Sequence, residues 1–381
     1  MFPIISKLPQ VKTNIFTTMS QLASEFSAIN LSQGFPDYNC SPQLIELVNK
    51  HMVNGHNQYE PMPGVLALRE KVSEKIKEIH QSTYNPETEI TITAGGTQAI
   101  YTVLAAIIQP DDEVIIFEPA YDCYAPSVLL QGGLVKSLEL SPPHYTIDWA
   151  VVKKLITNKT RLIIINSPQN PCGMILNEED IKQLSNITDN TDILILSDEV
   201  YEHLIYDGKT HLSMAKYEAL KQRSFIIASF GKLFHNTGWK IGYCIAPEKL
   251  MAEFRKVHQF LVFSVNTPLQ YAISDYMEDP SYYLHLSSFY QKKRDYFIHL
   301  MEATRFDLLP CAGTYFQSVQ YKNITNEKDV DFAIRLTKEY KVASIPTSAF
   351  YRKEIDHQVL RFCFAKSSDI LEEAVERLIK V

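Results

Sequence analysis

The 381-residue chain is 45% apolar and 21% charged, the proportions of a folded protein long enough for two domains rather than of a disordered one. Its 37 basic and 44 acidic residues leave a net charge of −7, and no basic block with interleaved aromatics follows a phosphate backbone, which argues against nucleic acid as a partner. No run approaches the roughly 18 apolar residues of a membrane span, and Met1-Phe2-Pro3-Ile4-Ile5-Ser6-Lys7 lacks a basic head before a long apolar stretch, so a cytoplasmic protein without membrane contact is expected.

Short β-branched runs recur along the chain: Ile90–Thr93, Val114–Phe117, Leu162–Ile165, Ile193–Leu196, Phe225–Ile227 and Ile241–Ile245. Most are apolar on both faces. The segments between them carry helical periodicity, as from Thr97 to Ile108 and from Glu178 to Asn186, so a mainly parallel sheet covered by helices is expected. The step from Phe225 to Ile241 makes the weakest strand pair of the series. From about Pro280 the pattern changes to long helices (Tyr282–Arg305, Val330–Tyr340, Asp369–Lys380) broken by short strands at Tyr315–Val319 and Val359–Phe364, which reads as a second, smaller α+β domain. Cys40, Cys123, Cys172, Cys244, Cys311 and Cys363 are scattered singly, with no CxxC pair and no Cys/His spacing for zinc; they read as reduced thiols, and no metal is expected.

In open parallel sheets ligands lie outside the carboxyl ends of the strands, so polar residues after each apolar run should converge. Ala94-Gly95-Gly96-Thr97 follows the first run and opens a helix, where free N–H groups suit a phosphate; a plain tight turn fits this segment equally well. Asn166-Ser167-Pro168-Gln169-Asn170-Pro171 follows the third run and Ser197-Asp198-Glu199-Val200-Tyr201 the fourth; alone, each is ordinary turn or cap chemistry. Ser229-Phe230-Gly231-Lys232 follows the fifth, and a partly desolvated lysine there can form an imine with a carbonyl carbon. Only 13 glycines occur, yet Gly95, Gly96, Gly173, Gly231, Gly238 and Gly242 fall in these loops. Together the set supplies an amine, a carboxylate, an amide, a phenol and a phosphate nest, which is what pyridoxal 5′-phosphate needs: a lysine for its aldehyde, a carboxylate beside its ring nitrogen and an anchor for its phosphate.

Over essentially its whole length the sequence resembles the class I (fold type I) aminotransferases, most of all bacterial methionine aminotransferases and kynurenine/glutamine aminotransferases. The resemblance rests on Asn30-Leu31-Ser32-Gln33-Gly34-Phe35-Pro36-Asp37, Asn57-Gln58-Tyr59, Ser167 to Pro171, Ser197 to His203, Ser229 to Lys232, Thr237-Gly238-Trp239-Lys240 and Leu360-Arg361-Phe362-Cys363-Phe364-Ala365-Lys366. It implies an α/β fold with the seven-stranded, mainly parallel sheet of that family in residues 41–275, and a small domain formed by 1–40, including an N-terminal arm, and 276–381.

Carried over, the resemblance makes Lys232 the imine-forming base and pairs Asp198 with the pyridinium nitrogen. It places Asn170 and Tyr201 on the cofactor's phenolic oxygen and stacks Tyr121 on its ring. Gly96, Thr97, Ser229 and Lys240 hold the phosphate, with Tyr59 reaching in from a neighbouring subunit of a homodimer. Many relatives have arginine where Lys240 stands, so a point charge replaces a fork. Arg361 becomes the clamp for the substrate α-carboxylate, with Gly34 and Asn170 beside it. Phe16, Tyr59, Tyr121 and Phe263 become the side-chain wall, which favours thioether or aromatic substrates: methionine first, then phenylalanine, tyrosine, glutamine and kynurenine. The expected reaction is ping-pong transfer of an amino group to a 2-oxo acid. A cystathionine or cysteine-S-conjugate β-lyase is the alternative with the same cofactor, and a non-catalytic cofactor-binding regulator is the third reading.

Overall fold

The computed structural model describes every residue except Met1–Pro3, Gln10 and Lys12, so the reading of the first three residues lies outside the described part. In chain order the strands are β1 (Ile29–Asn30), β2 (Ile90–Thr93), β3 (Glu113–Glu118), β4 (Leu134–Glu139), β5 (Thr160–Asn166), β6 (Leu194–Asp198), β7 (Ser224–Ser229), β8 (Gly242–Ile245), β9 (Asp307–Leu308), β10 (Phe316–Gln320), β11 (Val342–Ala343), β12 (Ile345–Pro346) and β13 (Val359–Cys363).

The large sheet has seven strands in the order β2-β8-β7-β6-β5-β3-β4. Strands β3 to β7 pair in parallel, as expected, while β8 lies antiparallel between β7 and β2. The reversal falls at the step that is weakest in the sequence. Only a four-residue helix (Phe230–Leu233) and a 3₁₀ turn (Thr237–Trp239) join β7 to β8, and neither is long enough to recross the sheet. Strand β4 has no counterpart among the expected runs, because this edge strand, LVKSLE, is polar at Lys136 and Ser137 and only partly buried. The long helix expected over Tyr282–Arg305 is two, Ser281–Leu284 and Leu286–Met301.

Period-2 alternation sends each strand's side chains to two cores. From β5, Ile163 and Ile165 join one apolar cluster, while Leu162 and Ile164 join the other, which packs under the helices Gly96–Ile107 and Glu248–Leu261. Burial on both faces is why these strands read as unbroken apolar runs. The second sheet is antiparallel, ordered β12-β13-β10-β9. Strand β1 pairs in parallel with β11, and Cys363 N donates to Leu31 O at 2.8 Å, so the N-terminal segment is stitched to the C-terminal part of the chain. Among the described residues no helix is long and apolar enough to cross a membrane.

The carboxyl ends of β5, β6 and β7 are Asn166, Asp198 and Ser229, and they share one edge of the sheet. The helix Gly96–Ile107 begins on that edge after Gly95, whose φ of 81° is left-handed, and no side chain caps it. Its first turn sits so close to β8 that a Cβ on Gly242 would lie 3.1 Å from Gly96 N and 2.7 Å from Ala228 O. Gly242→Ala is therefore expected to force the sheet and the helix start apart, at a cost of roughly 1–3 kcal/mol in urea unfolding. An unchanged midpoint would show that this contact is slack.

Candidate active site

A cavity of about 330 Å³ opens where the carboxyl edge of the large sheet meets β10 and β13. The Gly95-Gly96-Thr97 turn forms one end, and Lys240 lies over it: a Cβ on Gly95 would stand 3.5 Å from Lys240 Nζ. Uncapped helix N–H groups beside an ammonium make a site for a doubly charged anion. Ser229 and Thr237 line the same end, and Tyr121 Oη lies 3.4 Å from Thr97 Oγ1.

Asp198 is 3% exposed. Its Oδ2 accepts from Tyr124 Oη at 2.5 Å and its Oδ1 from Val200 N at 3.3 Å, and among the described residues no cation is bonded to it. Burial pushes its carboxyl up to about 6, and these hydrogen bonds and Lys232 only partly offset that rise. Asn166, at the end of β5, holds the same backbone: Nδ2 donates to Asp198 O at 2.9 Å, and Oδ1 accepts from Asn170 N at 2.9 Å.

Lys232 Nζ donates to Tyr315 Oη at 2.6 Å and to Gly34 O at 3.2 Å. It also stands 5.4 Å from the centre of the Tyr201 ring. Burial pushes the amine down to about 8, and the nearby Lys240 and Arg361 charges act the same way, against Cys363 and Asp198. Burial also raises the Tyr201 phenol.

Arg361, in β13, is 1% exposed. Its guanidinium donates to Asn170 Oδ1 at 2.7 Å and Ser32 O at 3.0 Å, and lies 3.8 Å from the centre of the Phe316 ring. Its buried Nε has no partner. A buried donor left unbonded costs about 1–3 kcal/mol, so the group is suited to an arriving acceptor.

Behind the cavity Glu199 and Glu202 of the Asp198–His203 segment enter a buried ionic cluster. Glu199 accepts from Ser197 Oγ at 2.8 Å and Met214 N at 3.0 Å, with His211 Nε2 at 2.8 Å. Glu202 pairs with Lys75 at 2.5 Å, with Tyr243 Oη at 3.2 Å and His80 Nε2 at 3.3 Å. Asp198 and Tyr201 thus line the cavity while their neighbours are clamped from behind.

The family model for aminotransferases of class I and II matches residues 27–378. The chain belongs to this family. The methionine aminotransferase of Escherichia coli (strain K12) is 44% identical over 374 residues, covering 98% of this chain and 97% of that protein. The kynurenine–oxoglutarate transaminase of Dictyostelium discoideum is 31% identical, covering 97% and 94%. A crystal structure of an Escherichia coli protein assigned a methionine aminotransferase function superposes with a TM-score of 0.98 at 43% identity, over 100% of both chains. This aminotransferase therefore has the expected fold, and it is an enzyme rather than a regulator.

Of the residues singled out from the sequence, Phe16, Gly34, Gly96, Thr97, Tyr121, Asn170, Asp198, Tyr201, Ser229, Lys232, Lys240 and Arg361 all line the cavity. Tyr59 and Phe263 do not. They stand edge-on to each other at 5.4 Å on the outer surface, 81% and 48% exposed. The sequence reading assigns no site role to Asn166, Tyr124 or Tyr315, which fix Asp198, Asn170 and Lys232. Asn166 was detectable as the polar residue ending a strand; the two tyrosines look like ordinary core aromatics.

The raised Asp198 carboxyl has a consequence for stability. Its folded value of about 6 lies above its ordinary 3.8, so its burial penalty is full above about 6 and fades as pH falls toward 3.8. Lys232 has the opposite window: its penalty is full below about 8 and fades as pH rises toward 10.5. Asp198→Asn in cofactor-free protein is thus expected to raise stability near neutral pH by up to about 3 kcal/mol, with the gain shrinking below pH 6. Urea unfolding of both proteins across that range checks it; a loss at neutral pH would mean the Tyr124 bond outweighs burial.

Proposed function

We propose that this aminotransferase carries pyridoxal 5′-phosphate in the cavity and takes methionine as its preferred amino donor. The observation that carries the reading is one buried amine and one buried carboxylate facing a single cavity, with an anion site at one end and an arginine at the other. The residues fit the cofactor: Gly96, Thr97, Ser229 and Lys240 for the phosphate, Asp198 for a protonated ring nitrogen, Tyr121 for the ring face, and Tyr201 with the free Nδ2 of Asn170 for the phenolic oxygen. When bound, the cofactor supplies an aldehyde for the amino group and an electron sink for the charge left at the substrate Cα.

The chain's own groups do the rest. Arg361, steered by Asn170 and the Ser32 carbonyl, binds the substrate α-carboxylate and fixes the direction of the Cα–H bond. Lys232, with an amine near 8, is partly neutral at physiological pH and takes the Cα proton. Phe16, Tyr121 and Phe316 surround the space with aromatic rings, where a thioether gains about 0.3–1.5 kcal/mol per contact and a second carboxylate would lie unpaired. Methionine is also what the Escherichia coli relative is named for.

We further propose a cytoplasmic homodimer with a large domain of about residues 41–275 and a small one of 1–40 and 276–381. All six cysteines are free, as a reducing compartment keeps them. Tyr59, Phe260 and Phe263 form an exposed aromatic face, with Phe260 85% exposed, that a second copy would cover and from which Tyr59 and Phe263 would reach the neighbouring cavity.

Holoenzyme titrated with methionine is expected to lose its visible absorbance band as the aminated cofactor forms, and Lys232→Ala to show no turnover. Faster turnover of aspartate than methionine would remove the substrate assignment. Arg361→Ala is expected to lose on the order of 3 kcal/mol in kcat/KM for every amino acid tested. An unchanged value would remove Arg361 from substrate binding.

A further inference from the structure

Tyr315 stands behind the residues that line the cavity, reaches the site through its bond to Lys232, and has none of the assigned roles. It precedes β10 and is 1% exposed. Thr314 before it takes a left-handed φ of 66°, and its carbonyl accepts from Tyr206 Oη. Phe364 N donates to the Tyr315 carbonyl at 3.0 Å. The ring stands edge-on to Tyr201 at 5.2 Å and to Phe316 at 4.9 Å. The hydroxyl therefore has one place to be, 2.6 Å from Lys232 Nζ and 2.5 Å from Gly34 O.

Proton counting gives the direction of each bond. A phenol has one proton and a carbonyl oxygen can only accept, so the Tyr315 proton goes to Gly34 O. Toward Lys232 the phenol oxygen is then the acceptor. Gly34 O, 3.2 Å from Nζ, is a second acceptor. A Cβ on residue 34 would come 2.7 Å from Phe316 Cζ, so only glycine lets the backbone carbonyl sit there. A neutral amine has two N–H bonds and one lone pair in tetrahedral array. Because the two acceptors are themselves only 2.5 Å apart, they lie on one side of Nζ, and the N–H bond directed at them tethers the amine there.

Resting on the reading of Lys232 as the base, we infer that Tyr315 is a positioning residue that, with the Gly34 carbonyl, tethers the amine of neutral Lys232 on one side and so fixes where it meets the reacting carbon. The same arrangement serves two steps. In covalent capture of an aldehyde, Nζ bonds to the carbonyl carbon and water leaves. In turnover, the released amine is held where it can accept the substrate Cα proton.

The test is Tyr315→Phe in the full chain, stripped of cofactor and mixed with pyridoxal 5′-phosphate at a series of pH values while the visible band is followed. The phenol oxygen favours the charged ammonium, so its loss is expected to move the midpoint of the rate profile to lower pH. Loss of aim is expected to lower the plateau rate at high pH by about tenfold. In the reloaded enzyme kcat should fall by a similar factor, with KM for methionine changed by less than about twofold. Tyr290→Phe is the control, because that ring lies 5.7 Å from Tyr315 while its hydroxyl bonds Tyr38 and His235. It is expected to keep the wild-type profile. An unchanged midpoint and plateau in Tyr315→Phe, or the same change in both variants, would overturn the inference. If the wild-type protein shows no band, the cofactor reading falls and this inference with it.

Discussion

A buried amine kept short of protons is the constraint on which the cavity depends. Burial alone pushes Lys232 toward neutrality, and Lys240 and Arg361 reinforce it from either end. Asp198, the one carboxylate among the described residues that line the cavity, is bonded to Tyr124 and a backbone N–H instead of to any of these cations. A direct Lys232–Asp198 ion pair would have been the cheaper way to bury both charges, but it would have fixed the lysine as an ammonium without a lone pair. The fold keeps the two apart, and the unmatched charges form a pattern of cation, carboxylate, amine and cation along one cavity. That pattern is complementary to a ligand with a phosphate, a protonated nitrogen and a carbonyl, followed by a substrate carboxylate.

Holding unmatched charges in place requires rigid support, and the ionic cluster behind β6 supplies it. In the stretch Asp198 to Glu202, Asp198 and Tyr201 belong to the cavity and Glu199 and Glu202 to the cluster. Lys75 has a fully buried side chain and is paired at 2.5 Å. Burial pushes His203 down to about 3, so it adds no charge of its own near neutral pH. A buried pair of this kind contributes little net stability, since desolvation offsets most of the attraction. Its effect is geometric: a shift of the segment would strand a carboxylate without its partners. The cavity side of the segment is therefore as fixed as the clamped side.

Much of this was legible in the chain because strands buried on both faces must read as apolar runs, and because ligands of parallel sheets must gather where those runs end. Asp198, Lys232 and the Gly95-Gly96 turn follow from that rule, and Arg361 from the resemblance. Strand β4 escaped because an edge strand needs no apolar run, and the reversal at β8 because strand direction leaves no trace in periodicity. Tyr124 and Tyr315 escaped for a different reason. A tyrosine hydroxyl that orients a catalytic group and one that caps a core look identical until distances are known. Tyr59 and Phe263 mark a third limit: a single chain shows only that they are exposed, and their placement in a cavity depends on a second copy.

On the proposed reading, the surroundings of Arg361 would let it bind a carboxylate without also fixing the substrate's other end. Its guanidinium carbon lies 3.8 Å from the centre of the Phe316 ring, 5.2 Å from that of Phe16 and 5.4 Å from that of Phe350. The rings come from β10, from the helix Ile15–Glu25 and from the 3₁₀ turn Thr347–Phe350. Aromatic faces favour a planar, weakly hydrated cation and cover it from water, so in-plane N–H groups are what remains for a ligand. A lysine would lose both the stacking and the fork. Two of these rings, Phe16 and Phe316, also line the cavity beside Arg361, so the feature that would sharpen recognition of a carboxylate also makes the adjoining space apolar. Phe16 belongs to a helix whose N-cap, Asn14, bonds the Asp122 carboxylate next to Tyr121, which ties Phe16 to another ring lining the same cavity.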